Sequence, residues 1–301
     1  MTVLLTGGSG FIGTHVLQEL INREIEVVCL YNKAIPKIDS DLVSFKQFDL
    51  LNASNADFTK LFKETHPSHC LHMAWYTNHT DYLINEINND WKDASIKLIH
   101  SFYGTGGKRF LGTGTCIEYD TKISGFYNED STPLKPNTLY AKCKLDVYRF
   151  LMEASANLEK SAAWARIFFV YGPNDRNNRL IPYIIDQLKN NKKASPRYGG
   201  LMRDYNFVLD LAKQLVDILL SDVTGAVNTG SGINYQIQDF FTLIGELMGA
   251  ESLVDHNNYL PENQPKVIAA DISKYLRLVN SLFIPTSLKS GLDQTINAVL
   301  S

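Results

Sequence analysis

Short apolar runs alternate with amphipathic segments of helical length along the first half of the chain. The apolar runs predict six β-strands, which lie at Val3–Thr6, Glu26–Tyr31, Ser44–Phe48, His69–Ala74, Arg109–Gly112 and Ala162–Val170. Segments between them carry apolar residues at the period of an α-helix, over 11–22, 56–65, 84–103 and 138–155. Strands that are apolar on both faces and alternate with helices predict a doubly wound, parallel α/β sheet covered by helices.

The pattern changes after Gly172-Pro173. Further helices are predicted there, over 180–190, 208–221 and 236–249. Polar stretches separate them, and a less regular tail with several prolines ends the chain. We expect one domain from 1–172 with 205–230, and a smaller region from 173–204 with 231–301 at the carboxyl side of the sheet.

A glycine-rich turn connects the first predicted strand to the first helix. Its residues, Thr6-Gly7-Gly8-Ser9-Gly10-Phe11-Ile12-Gly13, contain the spacing G-x-G-x-x-G. Glycines let backbone N–H groups approach a pyrophosphate, and the helix N-terminus adds a partial positive charge. The second strand closes the unit at the spacing of a Rossmann βαβ fold. The turn therefore predicts a dinucleotide site, with these residues against the phosphates: Gly7, Gly10, Phe11, Ile12 and Gly13.

Composition and charge narrow the class of protein. The chain of 301 residues is 45% hydrophobic and carries a net charge of −3 with no basic stripe, which argues against nucleic acid or an anionic membrane as a partner. No apolar run reaches the length of about 20 residues that crosses a bilayer. The chain begins directly on a predicted strand, so we expect no signal peptide. We therefore expect a globular cytoplasmic protein.

The cysteines and histidines give no sign of a disulfide or a metal site. The four cysteines are far apart and never form C-x-x-C, so we expect reduced thiols in the protein interior; they are Cys29, Cys70, Cys116 and Cys143. Residue types that bind zinc occur together at His66, His69, Cys70 and His72. Because a strand sends neighbouring side chains to opposite faces, we predict no metal site there.

Candidate acid–base chemistry lies at the start of the helix over 138–155. Tyr140 and Lys144 are four residues apart and therefore share one helical face, with Asn137 as a candidate N-cap. A tyrosine pKa of about 10 must fall to about 7 for acid–base work at neutral pH, and a nearby ammonium or an oxidised nicotinamide would favour the phenolate. Thr115 ends the fifth strand, at the edge where open α/β sheets bind ligands.

Further motifs follow one another along the chain: His72-Met73-Ala74, Arg166–Pro173 (R-I-F-F-V-Y-G-P) and Arg203-Asp204-Tyr205. With the glycine turn and the Y-x-x-x-K pair, they resemble the extended short-chain dehydrogenase/reductases, the nucleotide-sugar epimerase/dehydratase family, from residue 1 to about 245. The resemblance implies an NAD(P)-dependent enzyme with a Rossmann-type sheet, a nucleotide-sugar substrate, and a substrate-binding region in the carboxyl-terminal part.

The resemblance also implies roles for individual residues. Tyr140 would donate or accept a proton, Lys144 would orient the cofactor ribose and lower the tyrosine pKa, and Thr115 would hydrogen-bond the reacting oxygen. Arg203 would lie near the substrate diphosphate, and Asp49 would contact adenine. Two neighbours of these motifs are also expected at the cofactor: Leu50 and Ala74.

Two departures from the family pattern concern the reaction and the cofactor. Sugar 4,6-dehydratases carry an Asp-Glu pair directly after the hydroxyl residue, whereas this chain has Cys116-Ile117, so we do not expect elimination of water. NAD-specific members end the second strand with an acid, whereas here Asn32-Lys33 follows Tyr31. Lys33 would suit a 2′-phosphate, so NADP(H) is favoured over NAD(H); the alternative is an ordinary surface lysine.

A third departure lies at the substrate. Phe169 stands where many members place an asparagine that touches the substrate near its diphosphate. Another group would then make this contact: Asn177, Asn178 or Arg179. We expect the loop Trp75–Thr80, led by Trp75, to border the sugar. Its His79 is either a secondary acid–base group or a hydrogen-bonded loop histidine.

These observations predict an NADPH-dependent reductase of a nucleoside-diphosphate 4-keto(-6-deoxy) sugar. The alternatives are a nucleotide-sugar 4-epimerase, an NAD-dependent dehydrogenase of such sugars, and a non-catalytic dinucleotide sensor. Members of the family commonly dimerise through helices that match 84–103 and 138–155, so we expect a homodimer. Trp91 and Tyr148 on these helices suit either that interface or the core.

Overall fold

The computed structural model describes residues Met1–Leu300. Its strands are β1 (Thr2–Thr6), β2 (Glu26–Tyr31), β3 (Val43–Gln47), β4 (His69–His72), β5 (Arg109–Thr115), β6 (Gly125–Tyr127), β7 (Ser161–Ile167), β8 (Phe169–Tyr171), β9 (Met202–Arg203), β10 (Tyr205–Phe207), β11 (Gly225–Thr229), β12 (Tyr235–Gln236) and β13 (Val267–Ala270). Its α-helices are α1 (Phe11–Asn22), α2 (Asn55–Thr65), α3 (Ile87–Gly104), α4 (Leu139–Asn157), α5 (Leu180–Lys189), α6 (Val208–Leu220), α7 (Ile237–Met248), α8 (Ser273–Leu278) and α9 (Leu288–Leu300).

Seven parallel strands form the main sheet in the order β11-β7-β5-β4-β1-β2-β3. The strand order changes direction at β1, so a crevice opens outside the carboxyl ends of β1 and β4, the position where doubly wound sheets bind ligands. This sheet confirms the predicted Rossmann-type α/β fold. The strands and helices predicted over the first 160 residues differ from the observed ones by no more than a few residues at either end.

The predicted strand Ala162–Val170 is in fact two strands, and that prediction was wrong at its centre. The chain leaves the main sheet at Phe168, whose N–H donates to the Thr229 carbonyl at 3.2 Å. Beyond it β8 pairs with β10 in a separate parallel ribbon. Every residue of this run is apolar apart from Arg166, so periodicity alone gives no sign of the break.

The two faces of the main sheet are covered by different helices. Apolar residues of α1 and α6 pack against one face, and those of α2, α3 and α4 pack against the other. Trp91 and Tyr148 both pack against this second core, and both are half-buried. A homodimer through α3 and α4 stays a prediction, with which the exposed part of these two side chains is compatible.

A further hydrophobic core joins α5, α7 and α9. Beside it, β12, β9, β13 and β6 form a small mixed sheet. By contrast, α6 and β11 return to the main sheet. On this basis we propose that the chain forms two regions, as predicted: the domain of the main sheet, and a smaller region from 173–204 with 231–301.

The four cysteines are buried free thiols, as predicted. Among residues 1–300, no helix is long and apolar enough to cross a membrane.

The N-cap of α4 is Thr138, whose Oγ1 accepts from the Ala141 N–H at 3.2 Å. The prediction of Asn137 as the N-cap was wrong by one residue, because Thr138 is the last extended residue before the helix.

Candidate active site in the cleft at the carboxyl ends of the strands

A cavity of about 490 Å³ lies at the carboxyl ends of β1, β4 and β5, within the size range of small-molecule sites. It brings together most of the residues predicted from the sequence, namely Gly7, Gly10, Phe11, Ile12, Gly13, Asn32, Asp49, Leu50, Ala74, Trp75, Thr115, Tyr140, Lys144, Phe169 and Arg179. Several further residues line the cavity for which no role was predicted, among them Ser9, Tyr82, Asp175, Arg176 and Tyr205. The polar groups converge from both parts of the chain.

The glycine turn is shaped to admit a bulky anion. Gly7 has a φ of +78°, and a Cβ there would lie 2.7 Å from the Ala74 nitrogen. A Cβ on Gly13 would lie 2.0 Å from the Gly7 carbonyl oxygen. Gly10 is the N-cap of α1 and offers no side chain to the first-turn N–H groups, which therefore face the cavity for a ligand. The residues present fit the pyrophosphate of a dinucleotide.

A buried hydrogen-bond chain fixes this turn to the neighbouring strand. Thr6 Oγ1 accepts from the Ala74 N–H at 3.1 Å and contacts His72 Nδ1 at 2.7 Å. His72 Nε2 contacts Ser95 Oγ at 2.9 Å, and that hydroxyl donates to the Trp91 carbonyl. The donors and acceptors balance when Nε2 of the imidazole carries the proton. Burial, with a contribution from a nearby lysine, lowers the His72 pKa to about 3, so the ring is neutral.

The far end of the cavity is formed by the segments after β2 and β3. Asp49 accepts from the Asn52 side chain at 2.8 Å and from the Leu51 N–H at 3.1 Å. The hydrogen bond from Asn52, together with others that include Asn32, holds its pKa below the usual range. Lys33 is exposed and lies outside the cavity lining. Asn32 is thus the only residue of the predicted Asn32-Lys33 pair at the cavity wall.

Tyr140 and Lys144 approach the cavity from the first turns of α4. The Tyr140 N–H donates to the Leu83 carbonyl at 3.1 Å, and Lys144 Nζ donates to the Thr113 carbonyl at 2.9 Å. Burial lowers the Lys144 pKa to about 7.

Burial raises the pKa of Tyr140 above its usual value, and Tyr82, Glu118 and Cys116 add to that effect. The net pKa shift in the protein alone is therefore upward, and the effect of Lys144 on the tyrosine pKa stays a prediction. Desolvation of the phenolate outweighs the nearby cations, of which Arg179 is the one that lowers the pKa.

Thr115 is held in place by a buried carboxylate. Its N–H donates to Glu118 Oε1 at 2.9 Å, within a reciprocal capping box that opens a 3₁₀ turn over Cys116–Glu118. Glu118 is paired with Arg166 at 2.9 Å and accepts from Trp164 Nε1 at 3.1 Å. Gly114 makes room for this arrangement, since a Cβ there would lie 2.1 Å from the indole nitrogen. The sequence signal for this pair is a glutamate and an arginine within apolar runs, from which no pair was predicted.

Aromatic and cationic groups surround the opposite end. Phe169 stacks on Tyr205 with ring centroids 5.3 Å apart. Arg179 is the N-cap residue of α5 and lines the cavity. Arg176 donates to the Thr77 carbonyl, and to Thr77 Oγ1 at 3.1 Å. Two guanidinium groups therefore lie beside the apolar wall, that of Arg176, hydrogen-bonded to Thr77, and that of Arg179.

Two predicted substrate residues lie outside the cavity lining. The Arg203 guanidinium donates to the Met202 carbonyl at 2.8 Å and the Lys266 carbonyl at 3.1 Å, and lies behind Phe169, 6.0 Å from its ring. All of these hydrogen bonds use a single guanidinium nitrogen, Nη1, and the contact of Arg203 with a diphosphate stays a prediction. His79 stacks against Tyr82, and burial lowers its pKa; its role at the site stays a prediction. Within residues 1–300 no group of three or more metal-ligating side chains occurs.

Comparison with known proteins agrees with this architecture. The model of the NAD dependent epimerase/dehydratase family matches residues 3–230. UDP-glucose 4-epimerase of Bacillus subtilis is 26% identical over 83% of this chain and 83% of its own length. The dTDP-6-deoxy-L-talose 4-dehydrogenase (NAD(+)) of Aggregatibacter actinomycetemcomitans is 24% identical over 77% of this chain and 85% of its own length.

Among solved structures, the UDP-glucose 4-epimerase of Thermus thermophilus in complex with NAD has a TM-score of 0.83 at 22% identity, and the match covers 100% of this chain and 99% of that one. The fold is therefore shared along the whole chain. The family match covers the glycine turn, the Tyr140–Lys144 pair and the strand that ends in Thr115. On this evidence the chain belongs to the NAD dependent epimerase/dehydratase family, the extended short-chain dehydrogenase/reductase enzymes.

Proposed function

We propose that the protein uses NADPH to reduce the keto group of a nucleoside-diphosphate 4-keto-6-deoxy sugar. The observation that carries this proposal is the composition of the reactive end of the cavity. Tyr140 is a half-buried proton donor there, beside Thr115 and Lys144. The positions after Thr115 hold Cys116 and Ile117, which cannot serve as the second acid–base pair that elimination of water requires.

Tyr140 is suited to donate a proton in the reductive direction. Because burial raises its pKa, the phenol keeps its proton at neutral pH. It can then protonate the alkoxide that forms when a keto carbon receives a hydride, while the Thr115 hydroxyl holds the same oxygen. The nicotinamide, when bound, supplies that hydride. Oxidation of an alcohol would require the phenolate, which a bound oxidised nicotinamide would favour.

Two arginines at the cavity wall suit the anionic part of the substrate. Arg176 and Arg179 reach the cavity from the segment that leads into α5, whose first residues, Leu180 and Ile181, also line it. A guanidinium pair at a helix N-terminus suits a diphosphate. We propose this pair in place of Arg203 as the diphosphate contact.

The wall around Thr115 supports a 6-deoxy sugar. Cys116, Ile117, Phe168 and Phe169 line the cavity there. Burial raises the Cys116 pKa to about 12, so its thiol stays neutral. A methyl group suits this apolar surface, whereas a 6-hydroxyl would lose its hydrogen bonds to water.

We expect substrate binding to depend on pH through the Asp175 carboxyl. Burial raises its pKa to about 6 in spite of Arg176 and Arg179 nearby. The carboxyl is thus neutral below that pH and becomes charged above it, where it offsets the arginines. We expect the KM for the nucleotide-sugar to rise roughly fivefold as the pH passes through 6, the equivalent of about 1 kcal/mol. Asp175→Asn should abolish the rise.

The control for this measurement is Asp186→Asn, which removes an exposed carboxylate on α5. Steady-state KM values across the pH range, at saturating cofactor, would decide the matter. An equal rise in wild type and Asp175→Asn would contradict the assignment of the pH effect to Asp175.

For the cofactor we propose a preference for NADP(H). No acid ends β2, and Lys33 stands exposed just beyond the cavity wall, where its ammonium can pair with a 2′-phosphate. Lys33→Ala should weaken NADPH binding roughly fivefold, about the 1 kcal/mol of one exposed ion pair, and leave NADH binding unchanged. Lys37→Ala, another exposed lysine of the same loop, is the control. Fluorescence titration would measure both, and equal losses for the two cofactors would contradict the assignment.

A 4-epimerase is the second candidate, and a specific observation favours it. The relative in Bacillus subtilis and the solved structure from Thermus thermophilus are both UDP-glucose 4-epimerases, the latter with NAD. The name of the dTDP-6-deoxy-L-talose 4-dehydrogenase (NAD(+)) indicates an oxidation in that relative, and in this chain Thr115, Tyr140 and Lys144 suit that direction as well. An epimerase would retain its cofactor through purification and consume none.

The proposed function is tested directly with a panel of 4-keto-6-deoxy sugars linked to UDP, dTDP, CDP or GDP. We expect oxidation of NADPH that depends on both the sugar and the protein, with a product heavier by two hydrogens. Interconversion of C4 epimers of a hydroxylated nucleotide-sugar, with no net consumption of cofactor, would replace the reductase by the epimerase.

A further inference from the structure

We propose that Trp75 is a positioning residue whose indole face holds the Lys144 ammonium and keeps it protonated beside Tyr140. The role of Lys144 in catalysis rests on the proposed function, whereas the contact between the two side chains does not. Trp75 follows β4 and lines the cavity. Its predicted place at the border of the sugar stays a prediction, and in the structure its ring face lies against the lysine.

The geometry around Lys144 leaves Trp75 as its main direct partner besides one carbonyl. Lys144 Nζ lies 3.9 Å from the centroid of the Trp75 ring and 5.9 Å from that of Tyr140. It donates a hydrogen bond to the Thr113 carbonyl at 2.9 Å. A cation over the face of an indole is attracted by the ring quadrupole, most strongly where water is excluded, and Lys144 is only 4% exposed.

The charged and titratable groups that face Lys144 do not replace this contact. Glu118, from the turn after β5, raises the lysine pKa through space but is itself engaged by Arg166 at 2.9 Å. His72, from β4, is neutral at physiological pH. Tyr140, on the same helix, keeps its proton. Burial therefore dominates and lowers the Lys144 pKa to about 7, so a modest attraction decides its charge.

Contacts within the protein orient the Trp75 indole, without a ligand. Trp75 Nε1 donates to Asn88 Oδ1 at 2.8 Å. The Asn88 amide is fully buried and donates to the Tyr82 and Asn85 carbonyls, both at 2.7 Å. The ring also meets Tyr140 edge to face at 6.2 Å. Helix α3 thus holds the ring in a fixed position between the two residues of the Y-x-x-x-K motif.

The test measures the Lys144 pKa directly in the protein without cofactor or substrate. Trace acetylation with acetic anhydride across a pH series, followed by peptide mass spectrometry, reports the fraction of neutral amine at Lys144. We expect the pKa to decrease from wild type to Trp75→Phe and further to Trp75→Leu, with a total shift of about one unit. Trp91→Phe is the control, because it changes the indole that packs 6.2 Å from Trp75 but does not contact the lysine.

An unchanged Lys144 pKa in Trp75→Leu, or an equal shift in Trp91→Phe, would overturn the proposal. Trp75→Phe keeps an aromatic ring in place, so it remains informative if the leucine variant folds poorly. The alkaline limb of the kcat profile should move down by the same amount, because activity is lost as pH rises through the lysine pKa. The acetylation result stands even where the reduction assay fails, so failure of the proposed function and failure of this inference are distinguishable.

Discussion

Replacing Tyr140 by phenylalanine is expected to lower kcat for sugar reduction by about 10²- to 10⁴-fold and to leave the dissociation constant for NADPH within about twofold. The substitution removes one hydroxyl and keeps the ring. Contacts of that ring with Tyr82, at 5.1 Å between centroids, and with Trp75 at 6.2 Å persist. The loss thus falls on proton transfer to the alkoxide and not on the shape of the cavity.

The matched control is Tyr148→Phe, the same change about two turns further along α4. Tyr148 packs against Trp164 at 5.9 Å and does not line the cavity, so we expect nearly normal kcat. Stopped-flow measurement of a single turnover separates the chemical step from product release. Normal turnover in Tyr140→Phe, or a loss that appears in cofactor affinity alone, would refute the assignment of Tyr140 as proton donor.

The parts of the fold that follow local rules could be predicted from the sequence. The glycine turn, the strands apolar on both faces and the helix that carries Tyr140 each have a short-range signal, and the chain follows it. The break at Phe168 has none, because the run continues to be apolar while the backbone turns toward Thr229. What decides the break is a pairing with a strand more than thirty residues away.

The candidate site shows the same limit. Arg203 matches a family motif, and its Nη1 donates to the carbonyls of Pro265 and Lys266, more than sixty residues away, which no local pattern reveals. The orientation of Trp75 depends on Asn88, thirteen residues later. Residue identity thus indicated the chemistry available in the cleft, whereas the partner of each polar side chain depended on tertiary contacts.

Glu118 and Arg166 form the buried contact with the largest expected effect on stability. Their side chains are 0% and 1% exposed, and Arg166 also donates to the Tyr119 hydroxyl at 3.0 Å. Arg166→Met would leave the Glu118 carboxylate buried without a countercharge, which costs about 3–5 kcal/mol of unfolding free energy. That is a large share of the roughly 5–15 kcal/mol that stabilises a typical domain.

Urea denaturation compares this variant with two others. Arg149→Met breaks an exposed pair with Asp146 at 3.6 Å and should cost less than about 1 kcal/mol. Adding Glu118→Gln to Arg166→Met should recover part of the loss, because it removes the unpaired charge and keeps an oxygen for the Thr115 N–H. Equal losses in Arg166→Met and Arg149→Met would show that the buried pair carries no special weight. A recovered stability with kcat still reduced would instead mean that Arg166, through Glu118, sets the position of the Thr115 hydroxyl.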